Sequence, residues 1–325
     1  MIARRTKSIR GLVCLRGVCT AWHAAPLREN YEPDPAQLPW LVVLRPQEKC
    51  CFFDISNFRV YPFPLPGPIS FHGSSHGWLI VSDVNMDMYL VNPLTMERIG
   101  LPPFPSPFYF TTKVIMSACP HSSQPCIIVA IHGLESDLAY AWPGCDRWIT
   151  LNLPLCLFTD VVYHDNTFMA INEEGVVITL EIKCQETTTF CKIGNKVVEA
   201  RRLDCRRAYL VSIGEDLCAV VRYIQVRETG SLQTVEFKLF FYDKGESEWE
   251  QFEGCGNYTI FLGPSESMAL PTAATGWTTN CIYFTDECRT RLGEADSGVY
   301  YLTDGYLEPH FLDKGATGIW HMPKL

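Results

Sequence analysis

The chain has 325 residues, and its composition, 47% hydrophobic and 19% charged, is that of a globular protein rather than a disordered one. Acidic residues outnumber basic ones by 36 to 27, which disfavours nucleic-acid binding because phosphate backbones are also negative. The longest apolar run, 126–131, is far shorter than the ~20 residues of a membrane helix, so no membrane association is predicted. The 15 cysteines are scattered and odd in number, which is typical of a reducing compartment.

The first 30 residues show a helical pattern. One face of the predicted helix carries four apolar residues at i, i+3, i+4 and i+7, namely Leu15, Val18, Cys19 and Trp22. Pro26 limits the helix, and residues 31–37 are predicted to form a linker. Because the segment is basic and has no acidic residue before Glu29, it is also typical of a mitochondrial transit peptide, an alternative that stays open.

From residue 38 onward the hydrophobic period changes to two. Apolar and polar side chains alternate along 176–182 and 235–241, as expected for antiparallel strands that are buried on one face. We therefore expect an all-β domain. In the second segment Val235, Phe237 and Leu239 are predicted to share the buried face.

A unit recurs along this part of the chain: an apolar strand, an Asp or Asn, a polar turn and a second strand. Four clear copies are centred on Asp54, Asn92, Asp243 and Asp304, and two weaker copies lie at 148–152 and 179–183. Six copies between Asp54 and Asp304 have a mean spacing of about 50 residues, near the length of a four-stranded propeller blade. The pattern predicts a β-propeller of about six blades, with a pair of β-sandwiches as the alternative.

Several stretches resemble a family of plant F-box proteins. Residues 18–25, with a Val-Cys-x-x-Trp core, resemble the end of an F-box. Five further stretches resemble the KIB-type β-propeller that accompanies the F-box in that family: 38–41, 51–56, 73–79, 90–95 and 318–323. The most specific of them are Gly-Ser-Ser-His-Gly-Trp and Asn-Pro-Leu-Thr, at 73–78 and 92–95.

The resemblance implies a substrate-recognition subunit of an SCF-type ubiquitin ligase. In that arrangement the F-box binds a Skp-type adaptor, here through Leu15, Val18, Cys19 and Trp22, and the propeller binds a target protein. Only the last F-box helix is recognisable, from near Leu12, so we expect adaptor binding to be weak or lost. Two alternatives stay open: an interaction scaffold without the ligase, and an organellar form of that scaffold.

Two motifs suggest chemistry, but their context favours strands. Gly73–Gly77 matches the G-x-S-x-G of hydrolases with Ser75 as the nucleophile, yet an apolar strand follows where a helix is required. His72 and His76 have the spacing of zinc ligands on a helix, which the flanking glycines disfavour. We predict no enzyme, no metal and no cofactor, with a propeller hydrolase as a remote alternative.

Partner contacts are predicted in two long connections. The first, 133–148, carries three aromatic residues of the kinds that anchor interfaces: Tyr140, Trp142 and Trp148. Packing of Trp142 and Trp148 between blades is the alternative. The second, 285–297, adds three charged residues: Asp286, Arg289 and Arg291.

The predicted domain order is a helical F-box remnant (1–30), a linker (31–37) and a KIB-type propeller (38–325). The predicted compartment is the cytoplasm or nucleus, with the mitochondrion as the alternative.

Overall fold

The computed structural model describes residues 38–44, 50–55, 59–62, 69–103, 113–155, 157–182, 189–197, 205–228, 232–285, 296–309 and 317–324. Their strands form six sheets, the blades of a β-propeller. The innermost strands of successive blades contact one another from blade 1 to blade 6, and blade 6 packs against blade 1 through a cluster of buried hydrophobic residues. The predicted all-β propeller and its six blades are confirmed. The predicted helix and linker lie in residues 1–37, outside the described residues.

Blades are numbered in the order in which the chain enters them. Blade 1 consists of β1 (Trp40–Leu44), β2 (Cys51–Asp54), β3 (Arg59–Pro62) and, from much later in the chain, β25 (Thr317–His321). Blade 2 consists of β4 (Ser70–Ser75), β5 (Trp78–Ser82), β6 (Met88–Val91) and β7 (Arg98–Gly100). Blade 3 consists of β8 (Lys113–Met116), β9 (Ile128–His132), β10 (Asp137–Ala141) and β11 (Ile149–Thr150).

The second half of the chain forms the other three blades. Blade 4 consists of β12 (Phe158–His164), β13 (Thr167–Asn172), β14 (Val177–Glu181) and β15 (Thr189–Ile193). Blade 5 consists of β16 (Cys205–Ile213), β17 (Asp216–Val226), β18 (Leu232–Asp243) and β19 (Glu248–Phe252). Blade 6 consists of β20 (Tyr258–Leu262), β21 (Met268–Pro271), a one-turn helix α1 (Thr272–Thr275), β22 (Cys281–Phe284), β23 (Gly298–Tyr301) and β24 (Leu307–Pro309).

Antiparallel pairing sorts the connections onto two faces of the ring. The face where the first and second strands of a blade are joined is called the closure face, because Trp40 at the start of β1 pairs there with His321 at the end of β25. The face where the second and third strands are joined is called the opposite face. The closure face carries the short turns 76–77, 165–166 and 214–215. The opposite face carries the turns 83–87, 133–136 and 173–176.

Hydrophobic packing fills every contact between neighbouring blades. In the part of the chain that is described, six clusters of buried residues correspond to the six contacts. In β1, Trp40 and Val42 pack toward blade 2, whereas Leu41 and Val43 pack toward blade 6. Val177 of β14, which lies between the alternating apolar positions Val176 and Ile178, is likewise buried, against blade 5. Burial on one face only was wrong for these strands, because a ring covers both faces of each sheet.

The predicted alternation fails at Val235. This side chain was expected on the buried face of β18 with Phe237 and Leu239, but it is 53% exposed. The register between β17 and β18 shifts at this point, which leaves Val235 as the extra residue of a β-bulge. Thr234 is buried in its place. A bulge reverses which face each residue occupies, so a strict period of two cannot pass through it.

The recurring Asp or Asn lies in the turn between the two outermost strands of a blade. The Asn92 Oδ1 accepts a hydrogen bond from the backbone N–H of Leu94 at 2.9 Å. Asp243 Oδ1 accepts one from Gly245 at 2.7 Å, and Asp304 makes an equivalent bond. A short side chain with an oxygen is needed to replace a backbone acceptor in this way. The physical cause of the sequence repeat is therefore the turn rather than the strands.

The two most specific motifs of the sequence lie at the seam where the ring closes. His76 and Gly77 form the turn from β4 to β5 with φ of 49° and 84°, a region that favours glycine. A Cβ added to Gly77 would lie 2.6 Å from the Cβ of Lys324. The Asn92 Nδ2 donates to the backbone oxygen of Lys324 at 2.9 Å. The segment after β25 is thereby fixed onto blade 2.

Blade 6 departs from the regular strand order. β20 pairs in parallel with β22 and antiparallel with β21, so β21 becomes the innermost strand and contacts β16 of blade 5. Residues 263–267, which join β20 to β21, are called the crossing segment. Its Ser265 Oγ accepts a hydrogen bond from the backbone N–H of Trp320 in blade 1 at 3.1 Å. The crossing segment brings blade 6 to the inner strands of the other blades.

Candidate functional site

A buried cluster of polar residues lies among the inner strands. Lys113 begins β8 and Asp160 is the third residue of β12, and their side chains form an ion pair with exposures of only 3% and 0%. Removing both charges from water costs several kcal/mol per ion, roughly, unless further hydrogen bonds satisfy the remaining polar atoms. The surroundings of the pair therefore decide whether it stabilises the ring.

Asp160 is well satisfied. Its Oδ1 accepts from the backbone N–H of Val161 at 2.7 Å, and its Oδ2 accepts from the N–H of Leu210 at 2.8 Å and the hydroxyl of Ser267 at 3.1 Å. The Lys113 Nζ donates to the same hydroxyl at 3.2 Å. Burial raises the pKa of Asp160, whereas Lys113 and the backbone hydrogen bonds from Leu210 and Val161 act to lower it. The cluster ties blades 3, 4 and 5 to the crossing segment.

Glu266 extends the cluster to blade 2. Its carboxyl hydrogen-bonds to Ser75 at the end of β4, and the Ser75 hydroxyl also lies 3.4 Å from the backbone oxygen of Met116. Burial, together with the nearby charge of Asp160, raises the pKa of Glu266 to about 7, while Ser75 and Lys113 oppose that rise. This carboxyl can gain or lose a proton near neutral pH. The groups that act on it, Ser75, Lys113 and Asp160, belong to the buried cluster.

Ser75 is not placed as a hydrolase nucleophile. The G-x-S-x-G stretch forms the end of β4 and a tight turn into β5, whereas a nucleophile elbow joins a strand to a helix. The neighbouring Ser74 Oγ lies 2.7 Å from Nδ1 of His321, but both side chains are buried. Burial lowers the pKa of His321 to about 3, so the imidazole is neutral and enclosed.

His72 and His76 do not converge on a common point. His72 lies in β4 with its Nε2 2.8 Å from the Ser82 hydroxyl, and His76 lies in the following turn on the closure face. Within the ranges that the structure describes, no group of three or more His, Cys, Asp or Glu side chains could hold a metal ion. The zinc spacing in the sequence therefore corresponds to a strand and its turn.

The aromatic residues predicted to contact a partner lie mainly inside the ring. Tyr140 is 3% exposed and packs between blades 3 and 4, and Trp148 is 5% exposed and packs between blades 2 and 3. The Trp148 Nε1 donates to the backbone oxygen of Pro102 at 3.0 Å. Rings buried to this degree offer a partner little surface. Trp142 is half-buried at a closure-face turn, where partner contact stays a prediction.

The other predicted contact residues lie outside the described residues: Leu15, Val18, Cys19, Trp22, Asp286, Arg289 and Arg291. Two described residues next to these segments make contacts within the propeller. The backbone oxygen of Leu38 accepts a hydrogen bond from Trp277 Nε1 on the closure face. Asp296, near the end of the second predicted connection, is buried and pairs with Arg222 at 2.8 Å, and its carboxylate accepts a hydrogen bond from the backbone N–H of Thr234 at 2.6 Å.

The sequence analysis did not predict the buried polar cluster of Lys113, Asp160 and Glu266. A signal was present for two of them, because each interrupts or begins an otherwise apolar strand, Lys-Val-Ile-Met for Lys113 and Asp-Val-Val for Asp160. A charge in such a strand is expected to be buried and paired. Glu266 lies in a short polar connection and gave no such signal.

Comparison with known proteins adds the family to this architecture. "Putative F-box protein At5g55150" of Arabidopsis thaliana is 21% identical over 292 residues, which cover 83% of this chain and 78% of the relative. "Putative F-box protein At4g17565" of the same plant is 22% identical over 330 residues, covering 90% and 82%. A solved quinoprotein alcohol dehydrogenase-like protein from Bacteroides thetaiotaomicron aligns at 10% identity over 88% of this chain and 77% of its own, with a TM-score of 0.42.

None of the helices in the described residues has the length and hydrophobicity to cross a bilayer. The model of the KIB1-4 β-propeller family matches residues 52–301, which is most of the chain. The protein belongs to the KIB1-4 β-propeller family.

Proposed function

We propose that this protein is the target-binding subunit of an SCF-type ubiquitin ligase. In this proposal the propeller recognises a target protein, and residues 1–30 contact a Skp-type adaptor through Leu15, Val18, Cys19 and Trp22. The observation that carries it is the extent of similarity to proteins named as F-box proteins, one of which aligns over 78% of its own length. The proposal assigns no catalytic step to this chain.

The two faces of the ring support this division of labour. The chain enters the propeller at Leu38, which is fixed to Trp277 on the closure face. The opposite face carries the turns 83–87, 133–136 and 173–176 and is separated from Leu38 by the height of the strands. An adaptor bound near the closure face would therefore leave the opposite face open to a target.

Adaptor binding tests the proposal directly. Because only the last F-box helix is recognisable, we expect an immobilised Skp-type adaptor to retain the full chain weakly, at high concentration. Trp22→Asp should reduce that retention at least tenfold by placing a charge in the apolar contact. Thr20→Asp is the matched control, because it adds the same charge away from the apolar face of the predicted helix. If the unmodified chain is not retained even at high concentration, the ligase role is wrong and the propeller is an interaction scaffold.

The proposed compartment is the cytoplasm or the nucleus. Cys126 and Cys255 are free thiols in the interior, where burial raises the pKa of Cys126 to about 12 and that of Cys255 to about 11. Such thiols act as small apolar side chains and suit a reducing environment. We expect the protein isolated from its native tissue to keep its first 25 residues. N-terminal sequencing that starts near residue 25 would instead support the mitochondrial alternative.

A further inference from the structure

An exposed apolar and acidic surface lies on the opposite face, at the junction of blades 3 and 4. Leu134, in the turn from β9 to β10, is 75% exposed, and Leu157, which precedes β12, is 37% exposed. The backbone N–H of Leu157 donates to the oxygen of Glu135 at 2.7 Å, and its oxygen accepts from the N–H of Glu173 at 3.0 Å. These bonds bring two turns and both leucines together on one surface, which we call the rim.

The backbone holds Leu157 in an unfavourable conformation. Its φ is +59°, a region that costs a residue with a Cβ free energy and that glycine enters readily. The hydrogen bonds to Glu135 and Glu173 impose this conformation and direct the chain between the two blades. A leucine with part of its side chain in water, held at such a position, indicates a requirement other than stability.

The charges around the two leucines are almost all negative. Glu135, Glu173 and Glu174 are exposed, and neither the turn 133–136 nor the turn 173–176 contains a Lys or Arg. One cation is near: the Lys196 Nζ lies 3.0 Å from the Glu174 carboxylate. The corresponding turn of blade 2 on the same face repeats the combination, with two acids and two exposed apolar residues at Asp83, Val84, Met86 and Asp87.

We propose that the rim binds a basic, amphipathic segment of the target protein. An apolar side chain of that segment would cover Leu134 and Leu157, and its Lys or Arg residues would pair with the glutamates on either side. Charge complementarity selects this occupant, because an anionic membrane, a nucleic acid or the acidic rim of a second copy would be repelled. The inference rests on the proposed function in one respect, that the partner is the target.

A labelled 16-residue peptide of Leu and Lys at amphipathic helical spacing is a suitable probe of the full chain, with a Leu–Glu peptide of the same spacing as its negative control. We expect the Leu–Lys peptide to bind and the Leu–Glu peptide not to bind. The double variant Glu135→Lys/Glu173→Lys should weaken binding at least tenfold, and Leu134→Ser at least fivefold. Binding should also weaken as salt is raised, since exposed charges are screened.

Matched variants separate the rim from net charge and from general stickiness. Glu248→Lys/Glu250→Lys changes the charge equally at an exposed strand of blade 5, and Tyr306→Ser removes an exposed ring from the closure face. Both should leave the peptide affinity within twofold of the unmodified chain. Equal loss in the Glu248/Glu250 variant, or no binding of the Leu–Lys peptide at low salt, would overturn the proposal.

Two further outcomes are distinct. Deletion of residues 1–37 should leave the peptide affinity unchanged; a rise of tenfold or more would mean that the chain's own basic segment occupies the rim, which overturns the assignment to a target. Retention by the Skp-type adaptor should not change in the rim variants. If the chain binds the Leu–Lys peptide but not the adaptor, only the ligase role is wrong. If the chain binds the adaptor but not the peptide, only the proposal for the rim is wrong.

Discussion

Two lysine–carboxylate pairs in this propeller have the same chemistry and different consequences. Lys113 and Asp160 pair among the inner strands with exposures of 3% and 0%, whereas Lys196 and Glu174 pair on the rim with exposures of 48% and 62%. The buried pair cannot lose one partner without leaving a charge in a low-dielectric interior. The exposed pair can separate into water at little cost. The buried pair at the centre of the ring therefore stabilises the fold, whereas the exposed pair on the rim can be broken when a partner protein binds.

The sharpest way to break this comparison is Asp160→Asn. The amide keeps the shape but leaves the Lys113 charge without its counter-ion, so we expect the free energy of unfolding to fall by about 3–5 kcal/mol. Urea denaturation followed by tryptophan fluorescence measures the change. Glu174→Gln is the control at the exposed pair and should cost less than about 1 kcal/mol. Similar losses in the two variants would contradict the comparison.

The second prediction concerns pH and Glu266. Its pKa is about 7 in the folded protein against an ordinary 4.5, so between these values the folded state holds a proton that the unfolded chain has released. Stability from this group is therefore lost as pH rises from about 5 to 7 and is then constant. At 1.36 kcal/mol per pKa unit, we expect a loss of about 2–3 kcal/mol. Glu266→Gln should remove that loss from urea denaturation series at pH 5 and pH 8; an unchanged difference would show that Glu266 is not the cause.

A smaller effect is expected on the rim at Leu157. With φ at +59°, Leu157→Gly should be more stable than Leu157→Ala by about 1 kcal/mol, because only glycine escapes the left-handed penalty. Thermal unfolding of the two variants measures the difference. If alanine is equally stable, the backbone at this position is not strained and that support for the rim disappears.

The smallest effect is expected for Lys196→Ala. Loss of an exposed ion pair should change the free energy of unfolding by less than about 0.5 kcal/mol. The same variant should strengthen binding of the Leu–Lys peptide, because it frees Glu174 and makes the rim more negative. Denaturation and peptide titration test the two expectations separately, and a large destabilisation would place this pair in the same class as Lys113–Asp160.

The blade count could be predicted in part because an Asp or Asn recurs in the turn between the two outermost strands of several blades. Asn92, Asp243 and Asp304 each lie in such a turn, and the weak copy at 179–183 lies at the matching strand, β14. The weak copy at 148–152 is displaced by one strand, because it coincides with β11 rather than β10. The parallel pairing of β20 with β22 was not predictable, since a two-residue period does not specify the direction of a neighbour.

The candidate site was less accessible to sequence reasoning. Lys113, Asp160 and Glu266 are far apart in the chain and meet only because inner strands of different blades converge. The rim depends on backbone hydrogen bonds between Leu157 and two different turns. It also depends on a positive φ at Leu157, which cannot be predicted from the presence of a leucine. Aromatic residues were predicted as contacts by residue type, and Tyr140 and Trp148 are core residues because their strands and turns point between blades.

The pairing of β1 with β25 sets the order of events while the protein is being synthesised. Trp40 of β1 pairs with His321 of β25, which is synthesised after the other five blades. The inner edge of β1 therefore has no partner strand until those blades have been translated. A strand edge of this kind can pair with other chains, and contacts between such distant residues form slowly. Synthesis of residues 317–321 therefore ends the period in which this edge of β1 can pair with a strand of another chain.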